Sequence, residues 1–293
     1  MKRERLKALS FLVIAAVLWS VGGILIKLVE WNPIAIAGTR SGISAVVMYF
    51  YIRYNKKNGN SKKLFKLNKL KLIGACIYAT TVILFVIGNK LTTAANVILL
   101  QYTAPIWVVI LSGWILKEKV KLVDGACIFF VMMGMIMFFI GDLGTGKMLG
   151  NFISVLSGVA LAGVVIMLKL QKEGTAVEMI FLGNCITLIV SIPFVLKSVP
   201  SMQSIVGLVL LGVFQLGISY ILFAEAVPKV SAIEAIIIPV IEPLLNPVWV
   251  FICAGERPGQ LALMGGIIVV LSIIFRSILE SRTNRKMVME QSR

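Results

Sequence analysis

At 293 residues, with 59% hydrophobic content and a mean hydropathy of +0.97, the chain is too apolar to be an ordinary soluble globule. Its formal charge of +16 would suit nucleic acid. The basic residues, however, cluster in short segments between apolar runs and form no aromatic-interleaved face, so no nucleic acid is expected and the lipid bilayer is the partner. The chain has no histidine, which removes imidazole as base, ligand or proton relay and leaves carboxylates as proton carriers near neutral pH.

The start, from Met1 to Gly23, has the basic and apolar regions of a signal peptide, but its apolar run continues to Val29. It reads as a first, uncleaved transmembrane helix. In chain order the apolar runs of spanning length are Leu9–Val29, Ile34–Arg53, Leu70–Ile87, Thr93–Leu116, Leu122–Ile140, Gly150–Leu170, Val177–Leu196, Ser204–Ala226, Ser231–Cys253 and Gln260–Leu279. Each matches the roughly 20 residues a helix needs to cross a bilayer. Tyr54–Lys69 is the one long polar connection, and the polar tail after Glu280 reads as mobile. Cys76, Cys127, Cys185 and Cys253 fall inside these runs with no CxxC spacing, so neither a metal site nor a disulfide framework is expected. Gly141–Lys147 reads GDLGTGK, which follows no strand and lacks the full phosphate-loop pattern; it is taken as a turn.

Lysine and arginine fix the expected orientation. With the N-terminus in the cytoplasm, the inner side receives the basic residues before Leu9, those from Arg53 to Lys71, and Lys117, Lys119, Lys121, Lys169, Lys172 and Lys229. It also receives the basic residues from Arg276 onward. The outer side keeps Lys90, Lys147, Lys197 and Arg257, with Lys27 and Arg40 inside spans. Both termini are therefore expected in the cytoplasm of a multi-pass protein of the cytoplasmic membrane.

The ninth run carries Pro239, Pro243 and Pro247 at four-residue spacing, with Glu242 and Asn246 beside them. Each proline lacks an amide donor and displaces the carbonyl four residues earlier. Polarity bared at that depth is tolerated only against protein or a water-filled cavity. The fourth run repeats the frame: Thr93, Pro105 and Glu118 match Ser231, Pro243 and Glu256 with the same gaps. Five spans per half is an odd number, so the second half enters the membrane upside down. The fold class is an all-α integral membrane protein of ten transmembrane helices in two inverted five-helix repeats, residues 1–141 and 142–281, with a cytoplasmic tail at 282–293. Binding is expected near the midplane where such repeats meet.

These residues resemble the drug/metabolite transporter superfamily, specifically its EamA-type members. Trp19, Lys27, Pro33 and Arg40 stand in the order of that family's first two helices; Ala95, Pro105 and Lys117-Glu118 match its fourth. Ser231, Glu242-Pro243, Gly255-Glu256 and Gly265-Gly266 match its ninth and tenth. Glu234, Pro239 and Pro247 depart from the pattern, and the first half has no glutamate before Pro105. The resemblance implies alternating-access movement of a small metabolite, usually outward.

Glu242 lies 11 residues beyond Ser231, about 16 Å along a helix rising about 1.5 Å per residue. A carboxylate at that depth costs about 2.5–3.5 kcal/mol to insert. It can act as a proton carrier or, alternatively, brace the proline bend through a bond to a neighbouring helix. Arg40, between Gly38 and Gly42, can clamp a substrate carboxylate or phosphate; the alternative is a structural pair with Glu30, Glu256 or a helix end. Gln215, Ser219 and Phe223 form one stripe of the eighth helix with Tyr220 adjacent. Tyr78 and Thr81 lie on the third, Asn96, Tyr102 and Thr103 on the fourth, and Trp19 projects from the first. Together they suit a polar cavity for a zwitterionic or amphipathic solute; taken singly each is an interhelical contact. Glu118 and Glu256 are read as helix-end charges beside basic residues. Glu225 and Glu234, flanking Lys229, are read as a solvated cluster or an inner gate.

The function expected is secondary export of an amino acid or related small polar metabolite, with proton coupling through Glu242. Nucleosides, sugars or drug-like cations are the alternative cargo. A lipid-modifying membrane enzyme or a non-transporting scaffold is the alternative class, though scattered acids and absent histidine argue against catalysis. No cofactor is expected, and a homodimer is left open.

Overall fold

The computed structural model describes residues 2–57, 67–118, 120–140, 148–171, 176–245 and 260–291. Asn246, Pro247, Cys253, Gly255, Glu256 and the GDLGTGK segment lie outside them, so the roles expected of those residues are not located. All regular structure among the described residues is helical. Six helices are long and apolar enough to cross a membrane: Pro33–Lys57, Lys69–Leu91, Asn96–Leu116, Met148–Leu170, Ala176–Val195 and Met202–Lys229. Two shorter apolar helices accompany them, Leu122–Met137 and Leu263–Arg276. Large side chains such as Phe50, Ile110, Phe129, Phe152, Ile189 and Phe275 are exposed around the bundle. Water would not tolerate that much bare apolar surface, whereas acyl chains do.

The first expected span is two helices, α1 (Lys2–Trp19) and α2 (Gly22–Leu28). Ser20 turns its hydroxyl back to the Val17 carbonyl at 2.6 Å, and Gly22-Gly23 follow, a pair with poor helix propensity. Next come α3 (Pro33–Lys57) and α4 (Lys69–Leu91). Asn32 caps α3 by accepting the Ile34 amide at 2.9 Å, and Asn68 caps α4 by accepting the Lys71 amide at 2.7 Å. Such caps satisfy end amides that lipid could not.

The fourth span is broken at Tyr102–Thr103 into α5 (Ala94–Gln101) and α6 (Ala104–Leu111), followed by a π-helical turn at Ser112–Leu116. Pro105 is the cause, since it leaves the Gln101 carbonyl without its helical donor. That carbonyl faces α8, where a Cβ added at Gly158 would lie 2.7 Å from it. The rest of the chain forms α7 (Leu122–Phe139), α8 (Met148–Leu170), α9 (Ala176–Val195), α10 (Met202–Leu210), a π turn at Leu211–Ile218, α11 (Ser219–Ala226), α12 (Ala232–Ile237) and α13 (Gln260–Gln291). Between α12 and the helical residues 241–245, the proline run winds Ile238–Val240 into a 3-10 turn. The tail expected to be mobile after Glu280 is instead helical to Gln291. Its residues 280–291 contain no Gly or Pro, so a helix already nucleated in α13 has nothing to stop it.

In the centre α3 packs on α9 and α4 on α8 and α9; α1 packs on α11, α12 on α6, and α7 on α13. The Gly38/Gly42 spacing sets the first approach, because a Cβ at Gly38 would fall 2.1 Å from that of Ser191 on α9. A Gly38→Ala change therefore forces α3 from α9 and is expected to cost about 1–3 kcal/mol by overpacking. Gly125→Ala on α7, where the added Cβ meets nothing within 4 Å, is the control and should be neutral or slightly stabilising. Thermal unfolding of the two variants in detergent separates them.

Candidate functional site

The interrupted helices meet around one cavity. It is lined by Trp19 of α1, Arg40 of α3, Thr81 and Phe85 of α4, Gln101 and Tyr102 of the fourth span, and Leu161 of α8. Gln215, Tyr220 and Phe223 close it from the eighth span, and Ile236, Pro239 and Glu242 from the ninth. Its volume is about 40 Å³, room for little more than a water molecule. The bundle is thus closed on itself, and a metabolite enters only if helices part.

Arg40 is 1% exposed. Its guanidinium donates to Gln215 Oε1 at 3.0 Å, while its Nε has no partner. Among the described residues no carboxylate lies within ion-pair distance of it, so pairing with Glu30 does not occur in this structure. Gln215 is itself seated by Gly22, whose Cβ would fall 2.9 Å from its amide nitrogen. Trp19 Nε1 is a second buried donor without a partner. The Trp19 ring packs on Tyr220 at 4.9 Å and Phe223 at 5.1 Å, and Tyr78 meets Tyr220 edge-on at 5.0 Å.

Across the cavity, the Tyr102 hydroxyl reaches two oxygens, Glu242 Oε2 at 2.6 Å and the Pro239 carbonyl at 2.8 Å. The Pro239 carbonyl is one of those the proline spacing deprives of a helical donor; the Ile241 amide is shared between it and Ile238. The break in the fourth span therefore places a tyrosine that answers the break in the ninth.

Other residues singled out from the sequence sit elsewhere. Tyr78 is buried behind Tyr220 and donates to Asn184 Oδ1 at 3.4 Å. Ser219 bonds back to the Gln215 carbonyl. Asn96 lies away from the cavity with Thr92 and Asn151, at 3.1 and 3.2 Å. Gln101, not among the residues expected from the sequence, lines the cavity and donates to Ser157 Oγ at 2.7 Å. Its signal was its place four residues before Pro105, the same offset that Pro239 has from Pro243.

Each end of the bundle is tied by polar contacts. At the end rich in lysine, Glu234 is 2% exposed; it pairs with Arg5 at 2.5 Å and Arg276 at 3.9 Å and closes a capping box with Ser231. The solvated cluster expected of it is therefore not what forms: α12, whose start it caps, packs on α6 and α8, and the carboxylate is held by Arg5 and Arg276. Arg276 also holds Asp124 at 2.8 Å, and Lys71, 1% exposed, holds Glu178 at 2.6 Å. Replacing Arg276 by Met strands buried Asp124, which is expected to cost about 3–5 kcal/mol. The unfolding temperature in detergent should fall accordingly, and Asp124→Asn in the same chain should restore part of it.

Two lysine contacts correspond across the halves. Lys27 Nζ donates to the Thr92 carbonyl at 3.0 Å, just before the N-cap Thr93. Lys169 Nζ donates to the Val230 carbonyl at 2.6 Å, just before the N-cap Ser231. The first lies at the lysine-poor end, the second at the lysine-rich end, where Glu118 pairs with Lys169 at 3.3 Å and accepts the Ala232 amide at 3.2 Å. Also at the lysine-rich end is a polar vestibule of about 590 Å³, bounded by Lys7, Phe11, Tyr51, Lys56, Glu225 and Lys229 among others. On α1 and the eighth span these residues lie beyond the Trp19–Tyr220–Phe223 cluster, which separates vestibule from cavity.

The family model described as EamA-like transporter family matches residues 6–140 and 148–278. No curated protein matches the chain. One solved structure, described only as a crystal structure of a protein, superposes with a TM-score of 0.78 at 14% identity over 94% of this chain and 98% of its own. At that identity the likeness shows a shared fold.

Proposed function

Because the chain belongs to the EamA-like transporter family, matched in both halves, we propose that it is a secondary transporter whose cargo is a small polar metabolite bearing a carboxylate, an amino acid or close relative. The observation that carries this reading is Arg40, a buried guanidinium with an unused Nε and no carboxylate beside it among the described residues. Several kcal/mol are lost when a cation is desolvated without a counter-charge. An anionic group on the solute recovers that energy by a charge-assisted bond, and Trp19 Nε1 offers it a second donor. A drug-like cation is repelled by Arg40 and leaves its guanidinium without a counter-charge, which disfavours that cargo.

The architecture proposed is ten transmembrane helices in two inverted repeats, residues 1–141 and 142–281, with both ends of the chain in the cytoplasm. The matched lysine contacts support inversion, because equivalent residues make one bond at opposite ends of the bundle. So does the pairing of equivalent helices, α3 with α9 and α7 with α13. Alternating access then opens the lysine-rich end through the vestibule and the other end by release of Lys27. Export against proton entry is the direction proposed, with Glu242 as the proton carrier.

Counterflow in proteoliposomes across a panel of labelled amino acids, other carboxylates, nucleosides and cations tests the cargo. Exchange restricted to carboxylate-bearing solutes supports the reading; exchange of cations alone overturns it.

A further inference from the structure

Tyr102 has one hydroxyl proton and two acceptors within reach, and it cannot serve both at once. Glu242 Oε2 lies at 2.6 Å and the Pro239 carbonyl at 2.8 Å. If Glu242 is ionised, its carboxylate is the stronger acceptor and takes the Tyr102 proton, which leaves the Pro239 carbonyl without that donor. If Glu242 is protonated, it becomes a donor to the Tyr102 oxygen, and the Tyr102 proton passes to the carbonyl. The chain then runs unbroken from the carboxylic acid through the hydroxyl to the backbone. Pro243 removes the α-helical amide that would fill the vacancy, and the Ile241 amide is only shared with it.

We propose that Tyr102 is the positioning residue that converts the proton occupancy of Glu242 into a second bond, to the backbone, between the fourth and ninth spans. The inference rests on Glu242 being the proton carrier. One proton from water binds the carboxylate; no other bond to hydrogen is gained or lost, and the hydroxyl proton only changes acceptor. Protonation adds the bond to the Pro239 carbonyl to the side-chain contact; deprotonation keeps the Tyr102–Glu242 contact and leaves that carbonyl only its share of the Ile241 amide. A buried carbonyl that loses a donor and keeps only part of another amide costs up to a lost hydrogen bond, so the ionised form favours a cavity that admits water there. The charged and titratable groups facing Glu242 across the cavity are Arg40 of α3 and Tyr220 of α11, with Tyr78 of α4 behind Tyr220. The described lining holds no second carboxylate to share the proton.

The test uses the full chain in nanodiscs, with two readouts over a pH series. Infrared difference spectra follow the carboxylic acid band of Glu242, assigned by its loss in Glu242→Gln. The modification rate of Thr81→Cys by a water-soluble thiol reagent, in an otherwise cysteine-free chain, follows water entry to the cavity. In the parent chain the rate should rise as the acid band disappears, with a common midpoint. Tyr102→Phe should keep a titrating band, shifted toward a weakly bonded acid, while the ratio of rates at the two pH extremes falls toward one. Pro243→Ala supplies the Pro239 carbonyl with its own helical amide while leaving both side chains in place. It should flatten the rate profile in the same way, and it decides the matter if Tyr102→Phe does not fold. A parental rate profile in either variant, beside a titrating band, overturns the switch alone. Absence of any titrating band that Glu242→Gln removes overturns the proton carrier and the switch with it.

Discussion

Glu242→Gln is expected to abolish solute accumulation driven by a pH gradient, while the protein still expresses and unfolds near the parental temperature. Glutamine keeps the shape of the side chain and can still bond Tyr102, so packing around Pro239 and Pro243 is retained. What it loses is the ability to take up and release a proton. If one proton is exchanged per solute, a gradient of one pH unit is worth about 1.36 kcal/mol and sustains about tenfold accumulation. For antiport the sign is definite. Vesicles acid inside should draw solute in as protons leave, and reversing the gradient should empty them. In the variant both gradients should give the same level as no gradient at all. Unchanged gradient dependence would assign Glu242 to bracing the bend, the other role its depth in the sequence permits.

Much of this architecture is legible because the membrane makes sequence explicit. A helix in lipid must be apolar over about 20 residues, so span positions follow from hydropathy alone. The prolines were equally plain, since each removes a donor at a known place, and the Pro239 carbonyl is found bonded to a side chain from another helix. What pattern could not supply was which side chain would answer. Tyr102 was one hydroxyl among several, and its pairing with Glu242 depends on how α6 and α12 pack, not on spacing. Asn96 also carries a hydrogen-bond donor yet faces Asn151 at the end of the bundle, because the six positions that separate it from Tyr102 decide whether a residue meets the cavity or its rim. Glu234 misled for a related reason. A glutamate three residues after a serine is a capping box, but its ion pairs with Arg5 and Arg276, which are more than forty residues away in the chain, are not written in that spacing.

Arg40→Ala should separate the cost of the site from its use. In the empty protein the guanidinium is buried with an unmet donor, so removing it relieves an unfavourable charge and the unfolding temperature should rise or hold. The binding of carboxylates should fall by about tenfold to a hundredfold, the worth of a hydrogen bond between charged groups. Stabilisation by carboxylate solute, about 2.7 kcal/mol at a hundred times its dissociation constant, should shrink at the same concentration to about 1.4 kcal/mol for a tenfold loss of affinity and about 0.4 kcal/mol for a hundredfold loss. Arg40→Lys keeps the charge but loses the planar fork, and it should recover part of the affinity without the full rate. Uptake of neutral or cationic solutes should not decline in parallel. A structural arginine predicts the reverse on each count: a lower unfolding temperature, equal loss for every solute, and no partial rescue by lysine. The opposite signs of the stability change make the unfolding temperature of the empty protein the decisive measurement, because it needs no knowledge of the cargo.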